Sequence, residues 1–188
     1  MRVIAGEFRS RPLRSLPGLD VRPTPDRLRE ALFNVLAPRV EGVTFADIYA
    51  GTGAVGIEAL SRGARRAVFV EQNRAAVGVI RRNLKSLGIE DRAEVRQGKA
   101  AMVLASVEAD IVFVDPPYRL EQEYGAALAI LGGRAFDLVI VQHDVRLKLA
   151  DAYGALRGAR VLRQGDNCLS FFTPLASSPD AGEEERTP

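Results

Sequence analysis

From residue 43 onward the chain alternates short apolar runs with stretches of helical periodicity, and no other feature limits its fold as tightly. The runs predict strands at Thr44–Tyr49, Ala67–Glu71, Ala93–Gln97, Ile111–Asp115, Leu138–Gln142, Arg160–Gln164 and Cys168–Phe172. Between them, helices are expected over Gly53–Ser61, Asn73–Leu87, Ala100–Ser106, Gln122–Leu131 and part of Leu147–Leu156. Such alternation argues an α/β fold, a mostly parallel sheet with helices on both faces. The last two strands break the pattern. Only Gly165-Asp166-Asn167 joins them, and a parallel crossover takes a dozen or more residues. The expectation is a mostly parallel seven-stranded sheet that ends in an antiparallel hairpin.

A small N-terminal extension, residues 1–40, precedes this domain of residues 41–174. Residues 1–22 are rich in Arg, Gly and Pro and read as a hairpin or an extended arm. Thr24-Pro25-Asp26 opens a helix, with Thr24 as N-cap, Pro25 in the first turn and Asp26 at the positive helix end. Its buried face is Leu28, Leu32, Val35 and Leu36, and Pro38 ends it. Arg22, Arg27 and Arg29 lie at its mouth, where the competing reading is a solvated face with ion pairs such as Arg27–Glu30.

Between Arg2 and Arg39 eight Arg face four acidic residues. Arg pairs bidentately with phosphate and stacks on bases, but a GC-rich genome would enrich Arg as well. Residues 175–188 carry Asp180, Glu183, Glu184 and Glu185 against Arg186 and read as a disordered acidic tail. Cys168 is the one cysteine, so no internal disulfide can form, which fits a reducing cytoplasm. No run approaches the roughly 18–20 apolar residues of a membrane span, and the N-terminus does not read as a signal peptide.

Asp47-Ile48-Tyr49-Ala50-Gly51-Thr52-Gly53-Ala54-Val55-Gly56 joins the first strand to its helix and spells G-x-G-x-x-G. Glu71 ends the second strand, placed to accept bonds from a ribose diol. A dinucleotide fold offers the same arrangement. Asp47 tilts the choice. A carboxylate there repels a pyrophosphate but suits an ammonium group, and S-adenosylmethionine (SAM) carries an ammonium, a sulfonium and no phosphate. The candidate cofactor contacts are Asp47, Tyr49, Gly51, Gly53 and Glu71. Lys99, after the third strand, cannot accept a hydrogen bond from adenine and receives no role.

Asp115-Pro116-Pro117-Tyr118 ends the fourth strand at the edge where open α/β sheets bind ligands. Asp115 can accept one hydrogen bond from an amine, the Pro116 carbonyl a second, and Tyr118 can stack on the ring that bears it. Proline fixes φ and removes competing N–H donors. These three are the candidate catalytic residues, and the chemistry they suit is methyl transfer to a ring-borne nitrogen. Arg9, Arg11, Arg22, Thr24, Arg27 and Pro117 are the candidate substrate contacts. No metal is needed and no His/Cys ligand cluster is evident. His143 reads as a polar residue without a chemical role. Cytosine carbon-5 methylation would need a Cys nucleophile, and Cys168 reads as a small core residue.

Ile4-Ala5-Gly6, Arg22-Pro23-Thr24, the Arg27–Asn34 segment, the Asp47–Gly53 turn, Gly56–Gly63, Glu71 and Asp115–Tyr118 together resemble the bacterial RsmD family of 16S ribosomal RNA guanine-N2 methyltransferases. The resemblance implies a Rossmann-like SAM-dependent methyltransferase fold whose N-terminal extension helps bind RNA. It implies cofactor contacts at Asp47, Gly51, Gly53 and Glu71, and substrate contacts at Asp115 and Tyr118. It implies as partner the 16S rRNA within the small ribosomal subunit or an assembly intermediate. A monomer, with no membrane partner, is expected. The rival readings are methylation of adenine N6 or of a protein glutamine, a nicotinamide oxidoreductase, and a non-catalytic RNA-binding assembly factor.

Overall fold

The computed structural model describes residues 1–16, 25–117 and 121–175. Its helices are α1 (Asp26–Leu36), α2 (Ala54–Ser61), α3 (Arg74–Leu87), α4 (Ala100–Val103, continued by a 3-10 turn over Leu104–Ser106) and α5 (Glu121–Leu131). Its strands are β1 (Thr44–Ile48), β2 (Arg66–Glu71), β3 (Ala93–Gln97), β4 (Ile111–Val114), β5 (Leu138–Asp144), β6 (Ala152–Tyr153), β7 (Leu156–Gln164) and β8 (Asn167–Pro174). They form one sheet in the order β3-β2-β1-β4-β5-β8-β7-β6. Strands β1 to β5 pair in parallel, and β8, β7 and β6 add on antiparallel.

Strand β4 shows why the central runs are apolar throughout. Side chains alternate between faces of a strand, and here both faces are covered. Val112 and Val114 pack with Tyr124, Leu128 and Leu131 of α5. Ile111 and Phe113 pack with Leu28, Leu32, Phe33 and Leu36 of α1. Helix α3 is closed at both ends by sequence-local devices: Asn73 Oδ1 accepts from the Ala75 and Ala76 amides, and Gly88 caps the other end at φ 70°.

Several expectations need correction. The segment Leu147–Leu156 holds no helix. It leads into β6, turns at Gly154 (φ +56°) and enters β7. Contacts distant in sequence decide this. Ala155 N donates to Gly132 O at 2.8 Å, a Cβ on Gly154 would stand 2.4 Å from that same oxygen, and the Tyr153 ring meets Phe172 edge-on at 5.8 Å. The sheet therefore has eight strands rather than seven. Strand β5 also outruns its expected end at Gln142, because β8 pairs with it as far as Asp144 opposite Asn167. In α1, Pro25 occupies the N-cap position rather than the first turn, with no side-chain cap bond; Thr24 lies outside the described residues.

Arg29 also departs from expectation, being fully buried rather than solvated. Its Nη2 donates to the Arg2 carbonyl at 2.6 Å and to Asp26 Oδ1 at 3.1 Å. It sits beside an equally buried Glu58, whose Oε2 lies 3.7 Å from Arg29 Nε. Glu58 in turn accepts from the amides of Ile4 (2.8 Å) and Ala5 (3.0 Å) and from Arg62 Nε (2.8 Å). Of the two forms open to residues 1–22, the described part is the hairpin. Val3 N donates to Arg11 O and Leu13 N to Met1 O, each at 3.0 Å, around a bridge between Arg2 and Pro12. Gly6 (φ +83°) passes so close to α2 that a Cβ would fall 1.8 Å from Ser61 O.

Removing the Glu58 carboxylate would take away one of the two carboxylates beside the buried Arg29 and leave the Ile4 and Ala5 amides without their acceptors. We expect Glu58→Ala to cost about 3–5 kcal/mol, the usual range for breaking a buried pair on one side. Urea unfolding followed by circular dichroism measures this; a loss under about 1 kcal/mol would show that the carboxylate does not hold the hairpin.

Candidate active site

The carboxyl ends of β1, β2 and β4 come together because Ile48 lies in register with Val70 on one side and Val114 on the other. Two amides extend this ladder beyond the strands. Ala50 N donates to Val70 O at 3.0 Å and Asp115 N to Ile48 O at 3.3 Å. Asp115 is thus held directly beside the start of the glycine turn.

The turn is built from three special positions. Tyr49 has φ +64°, a conformation uncommon outside glycine. Its hydroxyl donates to Glu123 Oε2 of α5 at 2.6 Å, so the side chain is directed at α5. Burial, then this bond, push the phenol pKa up. Gly53 caps α2 at φ +79°. Gly56 admits Phe69, whose ring would lie 2.3 Å from a Cβ there. This is the close helix–strand approach that the third glycine of the motif serves.

Glu71 holds the turn from below. Its Oε2 accepts from Gly51 N at 2.9 Å and its Oε1 from Asn73 N at 2.7 Å. Asp47 is buried, with Oδ2 accepting from Gly56 N at 2.9 Å. Its pKa is raised well above the usual carboxylate range, first by burial and further by the negative charges of Asp115 and Glu71; the Gly56 bond opposes this. Three carboxylates therefore face one small region. A cationic ligand would relieve Asp47 of that strain, so the donor set fits the ammonium and sulfonium of SAM.

Asp115 is half-buried, Pro116 buried and Pro117 exposed. The Pro116 carbonyl accepts from the hydroxyl of Tyr124, a buried residue of α5, at 3.3 Å. Sequence reasoning missed Tyr124 because α5 carries no motif; only its apolar spacing was visible. Arg9, Arg11 and Arg27 are exposed, and Arg11 Nη2 also donates to Ser86 O on α3 at 3.0 Å. Arg22, Thr24 and Tyr118 lie outside the described residues. Lys99 is exposed. His143 is buried within β5, with Nε2 at 2.8 Å from Ser170 Oγ and Nδ1 at 2.9 Å from Asp144 O, and Cys168 opposes it in β8. Both are packed parts of the sheet.

Two clefts among the described residues differ in their relation to this arrangement. One, of about 300 Å³, is lined by Glu121, Tyr124, Asp144, Arg146 and Leu147. A larger one, of about 650 Å³, lies at the opposite edge by Thr44, Arg66 and Asp110. Its polar groups pair with one another, as Arg66 and Arg96 do with Glu94, and it is remote from the glycine turn. Among the described residues no group of His, Cys, Asp and Glu is arranged to hold a metal ion.

The Gly56–Phe69 contact yields a direct test. Gly56→Ala should push α2 off the sheet and lower stability by about 1–3 kcal/mol, the usual range for overpacking. A second substitution, Phe69→Leu, should recover part of that loss. Thermal melts of the two single variants and the double variant measure the coupling; additive losses would mean that the two residues do not compete for the same space.

The family model described as "Conserved hypothetical protein 95" matches residues 1–173. The putative rRNA methyltransferase YlbH of Bacillus subtilis is 33% identical over 165 residues, covering 83% of this chain and 89% of that protein. Ribosomal RNA small subunit methyltransferase D of Escherichia coli K12 is 44% identical over 123 residues, covering 63% of this chain and 61% of that protein's length. Among solved structures, the putative methyltransferase yhhF from Escherichia coli superposes with a TM-score of 0.81 at 33% identity, covering 94% of this chain and 99% of that one. A match over nearly the whole chain, on the glycine turn and the Asp115 edge that the geometry brings together, means that this chain belongs to that family, the RsmD family its motifs resemble.

Proposed function

We propose that this protein is a SAM-dependent methyltransferase that modifies the exocyclic N2 amine of a guanine in 16S rRNA, within the small ribosomal subunit or an assembly intermediate. One observation carries the reading: Asp115 and the Pro116 carbonyl stand at the end of β4, fastened by Asp115 N to the strand that enters the glycine turn. An acceptor pair for an amine is thereby set next to a cradle suited to a cationic adenosine cofactor. The naming of relatives as rRNA methyltransferases supports the same reading.

SAM supplies an activated methyl group on its sulfonium. Asp47, Gly51, Gly53 and Glu71 hold it, with Tyr49 shaping the turn through its bond to Glu123. The guanine amine is a poor nucleophile because its lone pair is delocalised into the ring. Asp115 and the Pro116 carbonyl accept its two N–H bonds and turn the lone pair out of conjugation. Catalysis is then mainly positioning with electrostatic help. Asp115, or water after transfer, takes the surplus proton. Tyr118 stacks on the base, and Pro117 borders it.

Residues 1–40 act as an RNA-binding extension on the methyltransferase domain of residues 41–174. Arg9, Arg11, Arg22 and Arg27, with Thr24, meet the phosphate backbone, which makes binding salt-dependent. The basic arm favours nucleic acid over a protein glutamine. Asp47, beside the glycines, disfavours a pyrophosphate-bearing nicotinamide cofactor. We infer a cytoplasmic enzyme that acts as a monomer; among the described residues no helix is long and apolar enough to cross a membrane.

Tritiated SAM and small subunits from a strain lacking the gene test the reaction. Label should appear in N2-methylguanosine; label only in DNA, in protein or in another base would overturn the substrate. In the same assay Asp115→Ala should lower kcat by at least about 100-fold, the scale of losing one preorganised catalytic contact, while SAM affinity stays within a few-fold. Asp47 adds a pH dependence with a defined sign. Its raised pKa means that it is protonated up to unusually high pH in the absence of ligand, and a cationic ligand selects the ionised form. SAM affinity should therefore rise with pH through that titration. Calorimetry of Asp47→Asn should show the dependence flattened; an unchanged pH profile would remove Asp47 from the cofactor site.

A further inference from the structure

We propose that the cleft between the first turn of α5 and the end of β5 receives the target guanine, with Asp144 accepting its N1–H and Arg146 exchanging Asp144 for a phosphate of the bound strand. This rests on the methyl-transfer reading above and names the part of the site that reads the base.

The cleft, of about 300 Å³, is lined by Glu121, Tyr124, Asp144, Arg146 and Leu147. Tyr124 ties it to the reacting edge, since its hydroxyl rests on the Pro116 carbonyl at 3.3 Å. That bond uses one lone pair of the carbonyl and fixes its direction, leaving the other for an amine N–H. The β4–β5 register places Val114 opposite Val141. Asp144 therefore lies two residues beyond the level of Asp115 on the adjacent strand, a rise of about 7 Å. A base whose amine sits at Asp115 and Pro116 can extend its Watson–Crick edge toward Asp144.

The chemistry of the lining selects the base. Glu121 and Asp144 against Arg146 make the cleft net acidic, which suits an edge made of donors. Guanine presents N1–H beside its N2 amine, so a carboxylate next to the amine site accepts from it. Adenine presents a lone pair at N1, which the same carboxylate repels. Leu147 offers an apolar wall to a base drawn out of its stack, as single-stranded recognition and base flipping require.

Arg146 controls access to the carboxylate. Its Nε and Nη2 stand 2.8 and 2.9 Å from the two Asp144 oxygens, and its own amide donates to Asp144 Oδ1 at 2.9 Å. Asp144 is held ionised by this pairing. The Arg146 side chain is 87% exposed, and an ion pair so open to water contributes little net free energy. Exchange of one anion for another, carboxylate for phosphate, therefore meets little resistance. In the same movement the Asp144 oxygens become available to the base.

Two variants test this in the tritium assay with small subunits. Asp144→Asn keeps an oxygen for the Arg146 amide, so the turn is preserved while the charge is lost. It should lower kcat by about 10- to 100-fold, the discrimination expected of a good base-edge contact, with SAM affinity within two-fold of the parent and an unchanged melting temperature. Arg146→Ala, at an exposed position, should raise KM for subunits about three-fold or more and reduce the salt slope by about one contact, with kcat within two-fold. Parental kcat in Asp144→Asn, or unchanged KM and slope in Arg146→Ala, would overturn the inference alone. Loss of SAM binding in Asp144→Asn would make Asp144 part of the scaffold and also overturn it. A parent protein that labels no rRNA guanine would remove the function on which the inference rests.

Discussion

The buried carboxylate of Glu58 is the contact through which the N-terminal hairpin becomes part of the molecule. It accepts two backbone amides, from Ile4 and Ala5, and a guanidinium, from Arg62, with Arg29 close by. Burying a carboxylate is costly unless its lone pairs are engaged, and here several donors converge on it. Helix α2 starts at the glycine turn and carries Glu58 one turn before its end. A single short helix therefore sets the geometry of the glycine turn at one end and of the basic hairpin at the other. Ser61 continues the attachment, accepting from Glu7 N through its carbonyl and from Phe8 N through its hydroxyl while donating to Ala5 O.

The site depends on a second constraint, the close approach of α2 to β2. Gly56 leaves room for the Phe69 ring, and the approach brings the Gly56 amide within 2.9 Å of Asp47. Packing and electrostatics are thus one problem here. Phe69 sets how near the helix sits, and the helix sets which donor meets the buried carboxylate. Burial and the neighbouring carboxylates of Asp115 and Glu71 keep Asp47 short of compensating positive charge, and a cation can supply it. On the far side, α5 performs the matching task. Its Glu123 and Tyr124 hold Tyr49 and the Pro116 carbonyl, so the glycine turn and the end of β4 are braced by adjacent residues of one helix.

Sequence alone determined the parallel α/β core, its glycine turn and the terminal hairpin. These are written in local patterns: β-branched runs for strands buried on both faces, Asn73 and Gly88 at the ends of α3, and a three-residue link too short for a crossover. Motif residues Asp47, Gly51, Gly53, Glu71 and Asp115 were legible for the same reason, since each occupies a fixed place relative to a strand end. Tertiary structure alone decided the rest. Arg29 reads as a surface charge by its type and position near a helix start, and becomes buried only because Arg2 and Glu58 arrive from elsewhere in the chain. Leu147–Leu156 has no local reason to avoid a helix except Gly154; the backbone of Gly132 and the ring of Phe172 turn it into sheet. Strand β5 reaches Asp144 because β8 pairs with it there. Tyr124 meets Pro116 because α5 folds back over β4. Local periodicity carries information about which face of an element is apolar, but not about which distant donor or acceptor will satisfy a buried polar group, and that choice belongs to the folded chain.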